Sequence, residues 1–372
     1  MSRRTNILIT GGGTGGHVFP AIAIANALKE KEENVNILFV GARHKMEMEQ
    51  VPAAGYRITG LPVKGFRRSP LISNIPVLYY LALSMVKAFG IIGKFRPHVV
   101  VGVGGYASGP VSRAALMKGI PLLIQEQNSF AGVTNRLLAK KAARICVAYE
   151  GMEAYFPPEK IMLTGNPVRR ELTDLTGKRE EALSCFGLKG DKKVILVIGG
   201  SIGAGSINRA VSANTGKFPD SGAELIWQTG RNDYQKASDI AKKSAAIHVH
   251  EFISRMDLAY AVADLVVSRA GAGTISELCL TGKPALLVPS PNVAEDHQTK
   301  NAKALVARDA AVMVKDEDVD EQLVDYALSI AGNEKRLSEL SKNISGMALP
   351  DSAGIIAEEI LKLAGKGENE DN

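Results

Sequence analysis

A chain of 372 residues is longer than one hydrophobic core usually supports, so its length predicts two domains. Its three cysteines include no closely spaced pair, which disfavours a disulfide framework or a cysteine-based metal site and indicates a reducing compartment. Residues 1–168 hold 20 Lys and Arg against 9 Asp and Glu, whereas residues 169–372 hold 25 against 30. This basic first half indicates an anionic partner, and the sparse aromatic residues disfavour nucleic acid.

The first apolar run begins at Ile7, which leaves no room for a signal peptide and predicts a cytoplasmic protein. Apolar runs then alternate with helical periodicity along both halves. This alternation predicts an α/β fold with two Rossmann-like domains, residues 1–165 and 166–350, whose parallel sheets face a central cleft. The predicted strands are Asn6–Thr10, Asn36–Val40, Val99–Val103, Pro121–Gln125, Ile145–Ala148, Ile161–Thr164, Val194–Ile198, Glu224–Gln228, Ile247–His250, Leu265–Ser268, Ala285–Val288 and Ala311–Val314.

A glycine-rich turn, residues 11–16 (GGGTGG), follows the first predicted strand, and a helix is expected from near Pro20. Its amides and the positive end of the helix dipole would bind phosphate. The glycine spacing also matches the dinucleotide-binding fingerprint. The second strand is followed by Arg43 and lacks the acidic residue that would bind the ribose of NAD. Since an arginine there could bind the 2′-phosphate of NADP, an NADP enzyme is left as an alternative. His17 follows the turn and is a candidate base or anion ligand, because the positive end of the helix favours a neutral imidazole. Alternatively, His17 only packs against its neighbours or caps the helix.

A long uncharged segment spans residues 69–86, and its apolar character continues to Ile92. Prolines and polar residues interrupt it, so a membrane span is disfavoured. We expect a helix with one face in its domain, either wholly buried or with its other face in the bilayer interface. The exposed apolar face would comprise Leu78, Tyr79, Ala82, Met85 and Phe89. The basic residues around it would be Arg67, Arg68, Lys87, Lys94, Arg96, Lys140, Lys141 and Arg144.

Four further segments at strand ends carry candidate chemistry. Residues 101–110 form another glycine turn, which would cradle a pyrophosphate with the first turn or serve only packing. In residues 125–128 (QEQN), Glu126 is a candidate base and Asn128 a candidate donor ligand, unless the loop is merely solvated. Residues 199–205 (GGSIGAG) and 268–277 (SRAGAGTISE) repeat the strand, turn and helix pattern. Thr274 and Glu277 also have capping-box spacing, which competes with ribose binding by Glu277.

Ordered motifs across nearly the whole chain resemble the MurG family, the GT-B N-acetylglucosaminyltransferases of glycosyltransferase family 28. These motifs are residues 12–20 (GGTGGHVFP), 104–110 (GGYASGP), 126–128 (EQN), 165–169 (GNPVR), 199–204 (GGSIGA) and 268–277. The resemblance implies an inverting enzyme that moves GlcNAc from UDP-GlcNAc to the MurNAc 4-hydroxyl of undecaprenyl-pyrophosphoryl-MurNAc-pentapeptide (lipid I), giving lipid II without a required cofactor. It also implies a peripheral position at the cytoplasmic face of the inner membrane, on anionic lipid, with other wall-synthesis and division proteins as partners.

The resemblance further implies roles for individual residues. His17 is the first candidate base and Glu126 the second. The donor would contact Thr14, Gly15, Gly16, Asn128, Arg169, Ser201, Ile253, Ala272, Gly273, Thr274, Glu277 and Gln298, with the uracil at Ile253, the ribose at Glu277 and the sugar hydroxyls at Gln298. The acceptor pyrophosphate would contact Gly13, Gly104, Gly105 and Tyr106.

Some features depart from the family pattern or leave alternatives open. Gln125 stands where many relatives have His, and His297 stands where a second Gln is frequent. A helix at about residues 351–364 is expected to return to the first domain. Residues 316–318 (DED) are interpreted as a surface turn, and no metal site is predicted. The alternative functions are a UDP-sugar epimerase, another UDP-sugar transferase on the same fold, and a non-catalytic nucleotide-sugar binder recruited to a membrane.

Overall fold

The computed structural model describes residues 4–63, 75–200, 203–293 and 296–366. The chain divides into two compact units, residues 1–169 with 351–372, and residues 170–350. Each unit is built on a parallel sheet flanked by helices, which confirms the α/β class. The first unit extends four residues beyond the predicted boundary at 165, because Asn166 bonds to Gln125 and to the Gln127 carbonyl oxygen inside it.

The first unit contains a seven-stranded parallel sheet with the order β3-β2-β1-β4-β5-β6-β7. The strands are β1 (Thr5–Thr10), β2 (Val35–Ala42), β3 (Arg57–Leu61), β4 (Val99–Gly102), β5 (Leu122–Glu126), β6 (Arg144–Val147) and β7 (Ile161–Leu163). The order reverses direction between β1 and β4. In open α/β sheets the loops at such a reversal diverge and leave a crevice at the carboxyl ends of the strands.

Burial on both faces explains why most of these strands are continuous apolar runs. Residues 7–9 of β1 and residues 99–101 of β4 are fully buried, as parallel sheets covered by helices require. The sequence analysis missed β3, an edge strand in which exposed and partly buried residues alternate before Leu61. An edge strand has one neighbour and needs little apolar character, so its pattern is weak.

The first unit carries six α-helices in the described residues, and the first of them along the chain packs against the last. They are α1 (Gly15–Lys31), α2 (Glu47–Ala53), α3 (Ile75–Phe95), α4 (Ser108–Met117), α5 (Val133–Ala139) and α15 (Ser352–Lys366). The expected start of α1 near Pro20 was wrong, since the helix begins at Gly15 and Pro20 lies in its second turn. Helix α15 buries Ile356, Ala357 and Ile360 in the first unit.

Helix α3 is buried on one side only. Ser84, Ala88 and Ile92 are buried, whereas Tyr79 is 65% exposed and Val86 70% exposed. Among the described helices, only the one at Val77–Phe95 is long and apolar enough to cross a membrane. Buried core helices of soluble proteins can have the same length and composition, so this is weak evidence for a membrane span. The expected exposed face was partly wrong. Leu78, Tyr79 and Ala82 are exposed, but Met85 and Phe89 pack against the core and Leu81 and Val86 are exposed instead.

The second unit contains a six-stranded parallel sheet with the order β10-β9-β8-β11-β12-β13, which reverses direction between β8 and β11. Its strands are β8 (Lys193–Ile198), β9 (Ala223–Gln228), β10 (Ile247–His250), β11 (Leu265–Ser268), β12 (Ala285–Leu287) and β13 (Val312–Met313). Its helices are α6 (Arg179–Phe186), α7 (Gly205–Ala213), α8 (Lys217–Asp220), α9 (Tyr234–Ala241), α10 (Met256–Val262), α11 (Ala272–Thr281), α12 (His297–Val306), α13 (Val319–Ala331) and α14 (Glu334–Ser345).

The side chains of this sheet alternate between two cores. Leu196 and Ile226 enter one cluster, and Val197 and Trp227 enter the other. Successive side chains of a strand point to opposite faces, so both faces must be covered by helices. All the strands predicted from the sequence are present in the two units, with ends that differ by two residues or fewer.

Candidate active site

The four glycine-containing turns of the sequence follow β1, β4, β8 and β11, the strands that flank the two reversals of strand order. In the first unit two of these turns touch. A Cβ atom on Gly105 would overlap the Gly12 carbonyl oxygen, and one on Gly11 would overlap the Val103 side chain. Gly12 and Gly105 also have positive φ, which other residues rarely adopt. The two turns therefore approach closely only because their side chains are absent.

A buried carboxylate that sequence reasoning missed holds the first turn. Glu47, at the start of α2, accepts hydrogen bonds from the Gly13 amide at 3.0 Å and the Ala42 amide at 2.9 Å. This contact corrects the role expected of Gly13, because its N–H already has an acceptor and is not available to a pyrophosphate in this arrangement. No local signal identifies Glu47, since it lies 34 residues along the chain from the turn it holds.

The N-terminus of α1 presents several of the predicted donor ligands. Thr14 is the N-cap residue, and its carbonyl oxygen accepts from the His17 amide at 3.1 Å and the Val18 amide at 3.2 Å. The amides of Gly15 and Gly16 therefore precede the helical hydrogen-bond ladder, the arrangement that binds anions. The Arg169 guanidinium lies 5.1 Å from the centre of the Phe19 ring, so this arginine is in the first unit, beside the first turns of α1.

His17 lies against the second glycine turn and is half-buried. Its Nδ1 atom is 3.1 Å from Gln127 Oε1, and a Cβ atom on Gly104 would lie 2.8 Å from its Cε1 atom. The imidazole thus contacts the turn predicted to receive the acceptor pyrophosphate, whose Gly104 and Gly105 have positive φ and whose Tyr106 is exposed. The structure brings His17, Gly104, Gly105 and the α1 N-terminus together.

Glu126 has a different role from the one predicted. Its buried carboxylate accepts four hydrogen bonds that hold the loop after β5. Its Oε1 atom accepts from the Asn128 amide at 3.1 Å and from Asn128 Nδ2 at 3.4 Å. Its Oε2 atom accepts from the Gly132 amide at 3.0 Å and Asn135 Nδ2 at 2.8 Å. All four hydrogen bonds tie the carboxylate to this loop, so the geometry supports a structural role for Glu126 and does not support it as the second catalytic candidate.

The β8–α7 turn of the second unit is also held by a buried side chain. Gln228 donates from Nε2 to the Gly200 carbonyl oxygen at 3.1 Å, and its Oε1 atom accepts from the Ile253 amide at 2.8 Å. The Ile253 side chain is buried in the core. A contact between Ile253 and uracil would thus have to use its backbone, whose N–H already has an acceptor. Ser201, predicted at the phosphates, lies outside the described residues.

Helix α11 is separated from β11 by three residues, and its start bears on one of the two interpretations of Glu277, the capping box. Gly271 is the N-cap, and the helical ladder begins with the Ile275 amide donating to the Gly271 carbonyl oxygen at 2.9 Å. Thr274 is therefore the third residue of the helix, which excludes the capping box. The amides of Ala272, Gly273 and Thr274 precede the ladder, as an anion site needs.

Glu277 lies one turn further along α11. Its Oε2 atom accepts from the buried Tyr260 hydroxyl at 2.9 Å. This hydrogen bond orients a half-buried carboxylate near the start of the helix, compatible with the predicted ribose contact. Gln298, the second residue of α12, accepts from the Ser290 amide at 2.8 Å through Oε1. That bond orients the Gln298 amide group and ties it to the segment after β12.

An ion pair missed by the sequence analysis joins three segments of the second unit. Arg269 donates to Asp316 Oδ1 at 2.5 Å and to Ser206 Oγ at 2.7 Å, and Ser206 Oγ donates to the same Asp316 oxygen at 2.6 Å. Burial opposes ionisation of Asp316, but the bonds from Ser206 and Arg269 outweigh it and lower the pKa of that carboxyl group. The expectation of a plain surface turn at residues 316–318 was therefore wrong for Asp316. Within the described ranges, no three His, Cys, Asp or Glu side chains are grouped so that they would hold a metal.

Comparisons with known proteins agree over nearly the whole chain. Residues 7–147 match the glycosyltransferase family 28 N-terminal domain, and residues 194–354 match the glycosyltransferase family 28 C-terminal domain. A relative from Parabacteroides distasonis, named UDP-N-acetylglucosamine–N-acetylmuramyl-(pentapeptide) pyrophosphoryl-undecaprenol N-acetylglucosamine transferase, is 56% identical over 98% of this chain and 100% of its own length.

Solved structures show the same architecture. A crystal structure of MurG from Acinetobacter baumannii is similar with a TM-score of 0.75 and 26% identity, covering 96% of this chain and 99% of that one. A UDP-GlcNAc 2-epimerase from Neisseria meningitidis, bound to UDP-GlcNAc, has a TM-score of 0.67 at 16% identity and covers 96% of this chain and 100% of that one. The second likeness shows only a shared fold.

Proposed function

The chain belongs to glycosyltransferase family 28, and we propose that it transfers GlcNAc from UDP-GlcNAc to the 4-hydroxyl of MurNAc in undecaprenyl-pyrophosphoryl-MurNAc-pentapeptide, forming lipid II. The observation that carries the proposal is the full-length similarity to a relative named for this transfer. The position of the glycine turns at both reversals of strand order supports two anion-binding sites, one in each unit. A transferase between two pyrophosphate-bearing substrates needs two such sites.

The acceptor pyrophosphate is assigned to the first unit. The turns around Gly12 and Gly105 touch there without intervening side chains, and His17 lies against Gly104. The first unit, residues 1–169 with 351–372, holds 23 basic and 15 acidic residues, and this net charge of +8 favours an anionic lipid-linked substrate on it. Of the two predicted bases, His17 is retained and Glu126 is not, because the Glu126 carboxylate is buried under four donors.

The donor nucleotide is assigned to the second unit. The α11 amides of Ala272, Gly273 and Thr274 would bind its diphosphate, and Glu277 would accept hydrogen bonds from the ribose hydroxyls. Gln298 would contact the GlcNAc hydroxyls. We also propose that five residues of the first unit contact the donor as predicted, together with Ser201. The five are Thr14, Gly15, Gly16, Asn128 and Arg169.

The transfer needs one proton acceptor and stabilisation of one leaving group. The MurNAc 4-hydroxyl oxygen attacks the anomeric carbon of GlcNAc from the side opposite UDP, while an imidazole nitrogen of His17 takes the hydroxyl proton. The bond from the anomeric carbon to the β-phosphate oxygen breaks, and UDP leaves with its electron pair. A positioned base contributes about 10²–10⁴-fold, and the α11 dipole and amides would stabilise the charge that forms on the β-phosphate. We propose that no metal is required.

Product analysis with UDP-GlcNAc, a short-chain lipid I analogue and EDTA tests this function. We expect a GlcNAc–MurNAc disaccharide product that forms only with the acceptor and persists under chelation. Release of UDP or epimerisation of the sugar without acceptor would overturn the transferase assignment in favour of an epimerase. Nucleotide binding with no turnover would indicate a non-catalytic binder. Transfer that stops with EDTA and returns with a divalent cation would overturn only the metal independence.

The exposed apolar face of α3 is proposed to place the first unit on the cytoplasmic surface of the inner membrane. Leu78, Tyr79 and Val86 are exposed there, and Lys87, Lys94 and Arg96 lie on or just after the same helix. Apolar contact and attraction to anionic lipid together give reversible peripheral binding. Contacts with other wall-synthesis and division proteins remain a prediction from the resemblance.

Co-sedimentation with phosphatidylglycerol-containing vesicles tests the membrane proposal. Val86→Glu should weaken binding, because it places a charge on the apolar face, and added salt should weaken binding of the wild type. Tyr326→Glu is the matched control, since Tyr326 is an exposed apolar residue on α13 of the second unit. Equal binding by Val86→Glu and the control would contradict the placement of α3 at the membrane.

A further inference from the structure

A chain of buried amide side chains lies behind His17. Gln127 Oε1 is 3.1 Å from His17 Nδ1, and Gln127 Nε2 contacts the Val103 carbonyl oxygen at 2.8 Å and Gln125 Oε1. Gln125 Nε2 is 3.1 Å from Asn166 Oδ1, and Asn166 Nδ2 is 3.0 Å from the Gln127 carbonyl oxygen. All three amide side chains belong to buried residues. We call Gln127, Gln125 and Asn166 the amide relay.

Two backbone carbonyl groups fix the direction of every hydrogen bond in the amide relay. A carbonyl oxygen only accepts, so the Asn166 NH2 group must face the Gln127 carbonyl and its oxygen must face Gln125. The Gln125 NH2 group therefore faces Asn166, and its oxygen faces Gln127. The Gln127 NH2 group must face both that oxygen and the Val103 carbonyl, which leaves Gln127 Oε1 toward the imidazole.

The end of this relay determines which imidazole nitrogen carries the proton. Gln127 Oε1 accepts, so His17 must donate from Nδ1. In the neutral ring the other nitrogen, Nε2, then has the lone pair. We propose that Gln127 is a positioning residue that holds His17 as its Nδ1–H tautomer, so that Nε2 is the proton acceptor of the transfer, and that Gln125 and Asn166 hold Gln127. The kinetic part of this inference rests on the proposed function, whereas the tautomer does not.

Histidine side-chain nitrogen NMR tests the tautomer without any activity. His17→Ala identifies the His17 signals among the six histidines of the full chain. At a pH where the ring is neutral, we expect Nδ1 to show a protonated, pyrrole-type signal and Nε2 an unprotonated, pyridine-type signal. In Gln127→Met, which keeps the side-chain length but has no amide, we expect this preference to be lost. A protonated Nε2 in the wild type, or an unchanged tautomer in Gln127→Met, would overturn the inference.

Kinetics of the same variants test the positioning role. Gln127→Met should lower kcat by at least about 10-fold, within the about 10²–10⁴-fold contribution of a positioned base, with little change in KM for UDP-GlcNAc. In a His17→Ala background the same substitution should have no further effect. Gln127→Glu still accepts from Nδ1–H and, being anionic, favours the imidazolium. It should therefore recover kcat relative to Gln127→Met and move the acid limb of the pH profile to higher pH.

A matched control separates positioning from loss of packing. Asn208 is a buried amide in the second unit that bonds to Trp227 Nε1 at 3.0 Å and to the Thr229 carbonyl oxygen at 2.8 Å. Any effect of Asn208→Leu on rate should be the same with and without His17. A Gln127→Met effect that persists in His17→Ala would likewise be structural and would overturn the positioning role. A wild type without transfer activity would instead overturn the proposed function and leave the NMR result to decide the tautomer.

Discussion

At the scale of single residues, the site depends on buried side chains that hold loops. Glu47 binds the Gly13 amide, Gln228 binds the Gly200 carbonyl, and Glu126 binds both ends of its own loop. Each of these side chains accepts or donates two or more hydrogen bonds while buried. Removal of one partner from such an arrangement costs about 1–3 kcal/mol, because the remaining groups lose their partners away from water.

Glu126→Gln tests whether this carboxylate holds the loop or removes a proton. Glutamine has one acceptor oxygen, so donors at one side of the group would face an NH2 group, and we expect the free energy of unfolding to fall by about 1–3 kcal/mol. Urea unfolding measures that loss. The acid limb of the pH profile of kcat/KM should stay in place. Unchanged stability with loss of that limb would show that Glu126 is the base after all.

Glu277→Gln tests the ribose contact in the second unit. Loss of a hydrogen bond to a charged acceptor costs about 1.5–3 kcal/mol, so the dissociation constant for UDP should rise by about 10- to 100-fold in calorimetric titration. With 2′,3′-dideoxy-UDP, the wild type and the variant should bind equally. Tyr260→Phe, which removes only the hydroxyl that orients Glu277, should cause a smaller loss. An equal loss with both nucleotides would contradict the ribose contact.

At the scale of elements, helix ends and helix faces determine what each motif does. Helix α11 begins at Ala272, which makes Thr274 part of the first turn and removes the capping box. Helix α3 directs Met85 into the core and Val86 to the surface. Helix α15 joins the first unit through contacts from the far end of the chain, with Arg144 Nε 2.8 Å from Glu359 Oε1 and Lys31 Nζ 2.7 Å from Glu358 Oε1.

Ile360→Ala tests how much the packing of α15 stabilises the first unit. Ile360 is fully buried, and truncation of a buried isoleucine costs about 2–5 kcal/mol through lost burial and the cavity that remains. Ile355→Ala on the same helix is the control, because Ile355 is 38% exposed, and its cost should be under about 1 kcal/mol. Urea unfolding would compare the two. Equal losses would show that α15 contributes little through its buried face.

At the scale of the whole molecule, the two units share one plan but differ in charge and in buried ionisable groups. The first unit is basic and contains the exposed face of α3. The second contains His248 and His250 on β10, next to the buried Glu224 of β9. Burial lowers the pKa of both histidines below the ordinary 6.5. At His248 the negative charge of Glu224 opposes this decrease in pKa. At His250 the positive charge of His248 lowers the pKa further.

These two histidines predict that the second unit loses stability in mild acid. A pKa lowered in the folded state means that the unfolded chain binds more protons as pH falls below 6.5. The free energy of unfolding should therefore decrease from about pH 7.5 to about pH 5.5, the range in which histidine charges. Chemical denaturation at several pH values measures the slope. His248→Gln with His250→Gln should flatten it, and an unchanged slope in that double variant would contradict the assignment.

From the sequence alone we could predict the alternation of strands and helices, the glycine turns and the family, because these depend on residues near one another in the chain. It missed β3, since an edge strand needs little apolar character. The folded structure was needed to identify the roles of Glu47, Glu126 and the amide relay. His17 and Gln127 are 110 residues apart, and Gln125 and Asn166 are 41 apart. Which hydrogen bond each side chain makes depends on carbonyl groups that folding brings next to it. A local sequence pattern therefore cannot predict these hydrogen bonds.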